Sequence, residues 1–136
     1  MEKTVGLAVE RALRGAAGSI RVTRAAKIAV ALPTSFVEDE TGLDARMAVV
    51  DATSLEAALP PLLASAAPGV RVVVVAPVAR SGGRGLVSKV ATGARRLTPA
   101  QLVDACEALR HSGVIGVRVV DVAGALGLAV LSGRTS

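Results

Sequence analysis

A glycine- and arginine-rich segment offers the clearest opportunity for ligand chemistry in this sequence. Residues 71–89, RVVVVAPVARSGGRGLVSK, begin as a valine run, pass through Pro77 and become a basic loop. Glycines let backbone amides approach an anion, and arginines supply paired N–H donors that match phosphate oxygens. An equally simple interpretation is a basic connecting loop that binds nothing. The predicted contacts for phosphate or a partner are Arg80, Gly83, Arg84, Gly85, Lys89, Arg95 and Arg96.

The known phosphate-binding motifs do not fit this loop. Residues 83–88, GRGLVS, come near the dinucleotide fingerprint GxGxxG but lack its third glycine. The loop is also longer after its strand than the fingerprint allows. A P-loop is excluded because the sequence contains no Gly-Lys-Ser/Thr.

The other reactive side chains suggest structural roles. Asp51 closes the apolar run ARMAVVDA and can bind a hydroxyl or act as a base, but it equally suits the N-terminus of a following helix. The acids of residues 38–44, EDETGLD, indicate a solvated loop rather than a metal site. Cys106 falls on the apolar stripe of a predicted helix near the C-terminus, and His111 lies in the last turn of that helix. No nucleophile, base and orienting group can be assembled, so no catalytic or metal site is predicted.

Composition excludes several classes of protein. The chain has one Phe and neither Trp nor Tyr, which argues against nucleic-acid modules that stack bases on aromatic rings. One Cys and one His exclude a disulfide framework and a zinc site with three His ligands. The net charge of +5 favours an acidic partner or nucleic acid.

Targeting and membrane signals are missing from the sequence. The start, Met-Glu-Lys, lacks the basic and apolar regions of a signal peptide. The longest uncharged run, AALPPLLASAAPGV, is broken by prolines and is shorter than the roughly 20 residues of a membrane helix. We therefore expect a cytoplasmic protein with no membrane partner.

Hydrophobic periodicity predicts alternating helices and strands. Apolar runs indicate one or two strands within residues 19–33, most clearly at 27–32, and further strands over 45–52 and 70–76. Helical spacing indicates a helix over 4–17. Thr53 to Glu56 fits a capping box that opens a helix containing Pro60 and Pro61.

The C-terminal half gives the clearest helix signal. Thr98, Pro99 and Gln101 fit a capped start, and Gly113 fits the end. A strand hairpin around Ala123-Gly124 should follow. This pattern predicts one α/β domain over residues 1–136, with three layers, a mostly parallel sheet and a C-terminal antiparallel hairpin.

Two segments of the chain resemble class I S-adenosylmethionine-dependent methyltransferases, specifically their C-terminal two-thirds. ALPTSFVEDETGLDARMAVVDATSLEAALPPLLASAAPGVRVVVVAP is similar to their strand, acidic loop, strand, helix, Pro-Gly turn and strand. LTPAQLVDACEALRHSGVIGVRVVDVAGALGLAVLSGR is similar to their closing helix and hairpin. The resemblance implies a truncated Rossmann-like domain in which Leu32 and Thr34 align with the adenine-side loop. It aligns Asp51 with the strand end that faces the substrate.

One departure from the family decides the expected function. The family's glycine-rich GxGxG loop and the acid that holds the ribose hydroxyls are not present upstream of residue 27. We therefore expect no cofactor and no catalysis, and a binding, scaffold or regulatory subunit that works as a homo-oligomer or with a protein partner. One alternative is a methyltransferase whose S-adenosylmethionine site is completed across a subunit interface. Another is a phosphate- or nucleic-acid-binding module that uses the Arg80–Arg96 loop.

Overall fold

Six strands and three helical segments make up the computed structural model, which describes residues 8–28, 30, 32–78, 95–122 and 127–136. Helical residues 8–12 form α1. The remaining elements are β1 Gly18–Arg24, β2 Phe36–Glu38, β3 Ala45–Val49, α2 Leu55–Leu63, β4 Arg71–Pro77, α3 Pro99–His111, β5 Val114–Val122 and β6 Leu128–Thr135.

The sheet is mostly parallel and ends in an antiparallel pair, as predicted. Its strand order is β2-β1-β3-β4-β6-β5. β2, β1, β3 and β4 are parallel, whereas β6 runs antiparallel to both β4 and β5. The chain leaves β1 for β2 on one side and returns to β3 on the other. The strand order therefore reverses between β1 and β3, the position where open α/β sheets bind ligands.

Helices cover both faces of the sheet, which explains the valine run of β4. Val72 and Val74 pack in one core cluster with residues of α2 and α3, and Val73 and Val75 pack in a second cluster with residues of α1. All four valines are at most 1% exposed. A strand buried on both faces has no polar face, so its sequence reads as a continuous apolar run.

The stretch predicted to hold one or two strands holds one, and it is the earlier part of that stretch rather than residues 27–32. Residues 18–24 form β1, whereas the described residues of 27–32 belong to no strand. β1 alternates polar and apolar residues, so Ile20 is fully buried while its neighbours are partly exposed. The apolar side chains of Ile28, Val30 and Leu32 pack against the α1 cluster from the connection that follows β1.

The helix predicted over residues 4–17 is confirmed at residues 8–12, and residues 4–7 lie outside the described residues. Residues 8–12 are helical, and turn residues follow at 13–15. Gly15 has a positive φ of 83°, a conformation that favours glycine and is common just after a helix. Gly18, which directly follows the predicted helix, is the first residue of β1.

Two arginines from the sheet satisfy the C-terminal end of α2. Arg46 is only 4% exposed and donates to the carbonyl oxygens of Leu62, at 3.2 Å, and Ala64. Arg21 donates to the carbonyl oxygens of Pro61, at 2.5 Å, and Leu62, at 3.3 Å. A helix leaves its last carbonyls without partners, and α2 has no basic residue in its own last turn. Burial, followed by the charge of Arg21, lowers the pKa of Arg46.

The C-terminal half matches the sequence prediction closely. Thr98 accepts the amide of Gln101, and the Gln101 side chain accepts the amide of Thr98, so the capping box of α3 is confirmed. The antiparallel pairing of β5 with β6 is confirmed as well. The predicted turn at Ala123-Gly124 lies outside the described residues.

Candidate ligand edge of the sheet

The candidate site is the edge of the sheet where the parallel strands end. β1, β3 and β4 end there at Arg24, Val49 and Pro77. We call this the ligand edge, because ligands of open α/β sheets bind outside the carboxyl ends of the strands. The crevice between β1 and β3 is its centre.

Backbone hydrogen bonds close this crevice. The amides of Ala25 and Ala26 both donate to the carbonyl oxygen of Val49, at 2.9 and 3.0 Å. The chain leaving β1 therefore turns across the end of β3. In nucleotide-binding sheets the amides after the first strand are donors to the ligand. Here these two amides have partners within the chain.

An ion pair joins the ends of β1 and β2. Arg24 Nη1 lies 2.8 Å from Glu38 Oε2, and Arg24 Nη2 lies 2.9 Å from Glu38 Oε1. Both side chains are about half exposed, at 51% and 46%. These two hydrogen bonds lower the pKa of Glu38 and raise the pKa of Arg24. The sequence does not reveal this pair, because the acids around Glu38 indicate a solvated loop and the clearer strand signal follows Arg24.

Asp51 follows β3 at the ligand edge and caps α2. Its Oδ1 accepts the amides of Thr53 and Ser54, at 3.1 and 3.0 Å, and the Ser54 hydroxyl at 2.8 Å. Its Oδ2 accepts the amide of Arg95 at 3.3 Å. Partial burial raises the pKa of Asp51, but these hydrogen bonds outweigh it and hold the pKa below the usual value. The predicted capping box that starts at Thr53 is wrong, because Ser54 occupies the N-cap position and the carboxylate of Asp51 receives the amides.

The structure separates the residues that the resemblance assigned to a cofactor. Thr34 is exposed in the turn that precedes the amino end of β2, and its neighbour Ser35 accepts the amide of Gly18 at 3.1 Å. Asp51 follows the carboxyl end of β3. Thr34 and Asp51 therefore lie at opposite edges of the sheet. Leu32 is partly buried against the α1 cluster.

Only the end of the predicted basic loop is described. Arg80, Gly83, Arg84, Gly85 and Lys89 lie outside the described residues.

The described end of the loop is attached to the ligand edge. Arg95 is exposed, and its carbonyl accepts the amide of Ala52 at 3.0 Å. Arg96 Nη1 donates to the carbonyl of Val78 at 3.2 Å. These contacts hold residues 95 and 96 beside β3 and β4, and their role toward phosphate or a partner stays a prediction.

The remaining reactive groups have structural partners. Cys106 is 7% exposed, and burial raises the pKa of its thiol. His111 Nδ1 lies 2.8 Å from the carbonyl oxygen of Glu107. Asp39 accepts the amide of Thr41 at 2.8 Å. Among the described residues, no three His, Cys, Asp or Glu side chains are placed to hold a metal ion.

A search for membrane-spanning segments gave none in the described part of the chain. No helix there is both long enough and apolar enough to cross a bilayer.

Comparison with known proteins gives matches in structure only. No protein-family model and no curated protein sequence matches the chain. Human N-acetylserotonin methyltransferase in complex with SAM matches 99% of the chain at a TM-score of 0.59 and 10% identity. The apo form of the S-adenosylmethionine-dependent methyltransferase SibL matches 97% at 0.59 and 12% identity. The DhpI–SAH complex matches 100% at 0.51 and 16% identity.

These matches define the fold of the chain. It has the class I methyltransferase-like, Rossmann-like α/β fold that the sequence resemblance implied. The chain spans 51% of the human enzyme, 54% of SibL and 86% of DhpI. It is thus about half the length of the first two proteins.

Proposed function

We propose that this chain is a methyltransferase-like binding or scaffold subunit that does not itself transfer methyl groups. The observation that carries the proposal is the closed crevice between β1 and β3. Both backbone amides that follow β1 donate to Val49, so neither is available to a nucleotide in this arrangement.

The carboxylates of the ligand edge support the same proposal. Glu38 is paired with Arg24, and Asp51 accepts four hydrogen bonds from Thr53, Ser54 and Arg95. An adenosyl ligand needs free donors and a free carboxylate at this edge. Each hydrogen bond that it displaces costs about 0.5–1.5 kcal/mol, and more where a charged group is involved. Binding would have to exceed the sum of these costs.

Titration with S-adenosylhomocysteine tests whether the edge binds this nucleotide. We expect isothermal titration of the full chain to give no saturable heat, and the melting temperature to stay unchanged. Saturable binding with one ligand per chain would overturn the proposal.

The surface that we assign to a partner is strand β5. Among the described strands, β5 is the outermost strand on one side of the sheet and pairs with β6 alone. Three of its apolar side chains, Ile115, Val119 and Val120, are 43–44% exposed. An edge strand carries unpaired amides and carbonyls, and such a strand with apolar side chains is a template for pairing with another chain.

The second candidate function is a methyltransferase whose cofactor site is completed by another subunit. Two observations favour it: the matched structures include complexes with SAM and SAH, and Glu38 ends β2 beside the crevice. An acid at the end of the second strand is where Rossmann-like folds hold a ribose. This function predicts that S-adenosylhomocysteine binds and increases the mass of the particle in light scattering. The scaffold function predicts a mass that does not respond to the ligand.

A further inference from the structure

We propose that a cluster of arginines at the opposite edge of the sheet forms a binding site for a phosphate group. The arginine cluster consists of Arg11, Arg71, Arg118 and Arg134, which line one cavity of about 270 Å³. Arg71 is the first residue of β4, so the cavity lies where the parallel strands begin. It is therefore separate from the ligand edge, and its occupation does not depend on whether the chain binds an adenosyl ligand.

Strand register places three of these arginines on one face. Arg71 of β4 is directly opposite Arg134 of β6. Arg118 of β5 is opposite Ser132 of β6, two residues from Arg134. Residues two apart on a strand share a face, so all three side chains lie on the same side of the sheet. Val73 of β4 and Val130 of β6 lie on this same face and pack in the α1 cluster. Arg11 follows from α1, which covers that face.

The cluster contains no compensating carboxylate. The cavity lining consists of the four arginines with Ala12, Ile115, Gly116, Ser132 and Gly133. Within the described part of the chain, the four guanidinium groups take part in no hydrogen bond or ion pair. Like charges directly opposite each other on neighbouring strands are destabilising. An anion bound between Arg71 and Arg134 would remove this repulsion.

The nearest acid in the cavity linings is already engaged. Asp44 lines an adjoining cavity that shares Arg71 and Arg134. Its Oδ2 accepts the amide of Ser19 at 2.8 Å. The carboxylate also packs so closely on Gly18 that a Cβ at residue 18 would collide with it. Asp44 therefore serves the turn before β3, and it forms no ion pair with the described arginines of the cluster.

The chemistry of the cluster favours phosphate over a carboxylate. A guanidinium presents a planar fork of donors that matches two phosphate oxygens, and phosphate offers several such oxygens with more than one negative charge. Four cationic side chains around one cavity suit a multivalent anion. The same chemistry serves a small phosphorylated molecule or the backbone phosphate of a nucleic acid, and the experiment separates these sources.

The test is isothermal titration of the full chain at low ionic strength with sodium pyrophosphate and, separately, with a 12-nucleotide single-stranded DNA. The variant is Arg118→Glu, and the matched control is Arg110→Glu, an exposed arginine of α3 on the other face of the sheet. We expect saturable pyrophosphate binding that Arg118→Glu weakens by about tenfold or more and that Arg110→Glu changes by less than about twofold. Binding to both probes, with DNA displaced by pyrophosphate and weakened by the same variant, assigns the phosphate to a nucleic acid. Binding to pyrophosphate alone assigns it to a small molecule.

A second variant keeps the proposal testable if Arg118→Glu does not fold. Arg134→Gln removes one of the two directly opposed charges. It should therefore raise the melting temperature in a buffer without phosphate or other multivalent anions, and abolish the further rise caused by pyrophosphate. The proposal is overturned if neither probe binds, if Arg118→Glu and Arg110→Glu weaken binding equally, or if Arg134→Gln leaves the effect of pyrophosphate unchanged.

Discussion

Asp51 shows how a single carboxylate can look like a catalytic group in the sequence and act as a cap in the structure. It accepts the amides of Thr53 and Ser54 at the start of α2. We expect Asp51→Ala to lower the free energy of unfolding by about 0.5–2 kcal/mol, the range seen when a side chain that accepts amides at a helix start is removed. Thr53→Ala is the control and should have a smaller effect, because it keeps the backbone amide of Thr53 that donates to Asp51. Equal losses in urea unfolding of the two variants would contradict the assignment.

The same carboxylate predicts a pH dependence. Its pKa is lower in the folded chain than the ordinary value of 3.8, so the unfolded chain binds the proton more readily. The stabilisation from ionised Asp51 is therefore complete well above pH 3.8 and is lost as the pH falls through the lower, folded pKa. The stability difference between the natural chain and Asp51→Asn should shrink over that acid range. A difference that is constant from pH 7 to pH 3 would argue against the ionised cap.

Residue roles were predictable from the sequence only where they depend on local neighbours. Thr98 and Gln101 are three residues apart, so their capping box could be recognised directly. The Arg24–Glu38 pair and the arginine cluster depend on strand register, which brings together residues far apart in the chain. An assignment that misplaces one strand cannot find such pairs.

At the scale of elements, α2 depends on arginines that belong to the sheet. Arg46 reaches the last carbonyls of α2 from β3 and is almost fully buried. We expect Arg46→Met to cost about 1–3 kcal/mol, because it leaves the carbonyl of Ala64 without this donor and the carbonyl of Leu62 with Arg21 alone. Arg110→Met, on the exposed side of α3, should change stability by less than about 0.5 kcal/mol. Thermal unfolding of both variants measures the difference, and an equally small effect of the two would contradict this role.

The strands were predictable to different degrees for a physical reason. β3 and β4 are buried on both faces, so their valines and alanines form continuous apolar runs that mark them clearly. β1 is only half-buried and alternates with serine, arginine and threonine, while the more apolar run after it belongs to a connection. The apolar run at 27–32 is therefore explained by packing of loop side chains in the α1 cluster.

At the scale of the whole molecule, we expect the outermost strand β5, with its exposed apolar side chains, to lead the chain to self-associate. A second copy that pairs along β5 would extend the sheet and cover Ile115, Val119 and Val120. We expect light scattering at micromolar concentration to give the mass of two chains. Val119→Lys should reduce it to one, whereas Val103→Lys, at a residue of α3 that is 56% exposed, should leave it unchanged. A natural chain with the mass of one copy and no captured partner would contradict a scaffold role through this strand.

The chain has the methyltransferase-like fold, and its own backbone amides after β1 are bonded across the crevice between β1 and β3. The most direct test is an amide NMR titration of the full chain with S-adenosylhomocysteine, combined with hydrogen exchange of Ala25 and Ala26. The account predicts that both amides are protected by their bonds to Val49 and that their chemical shifts do not move as ligand is added. Fast exchange of these amides, or saturable shifts at Ala25, Ala26 and Glu38, would show that the crevice is open to a nucleotide and contradict the account.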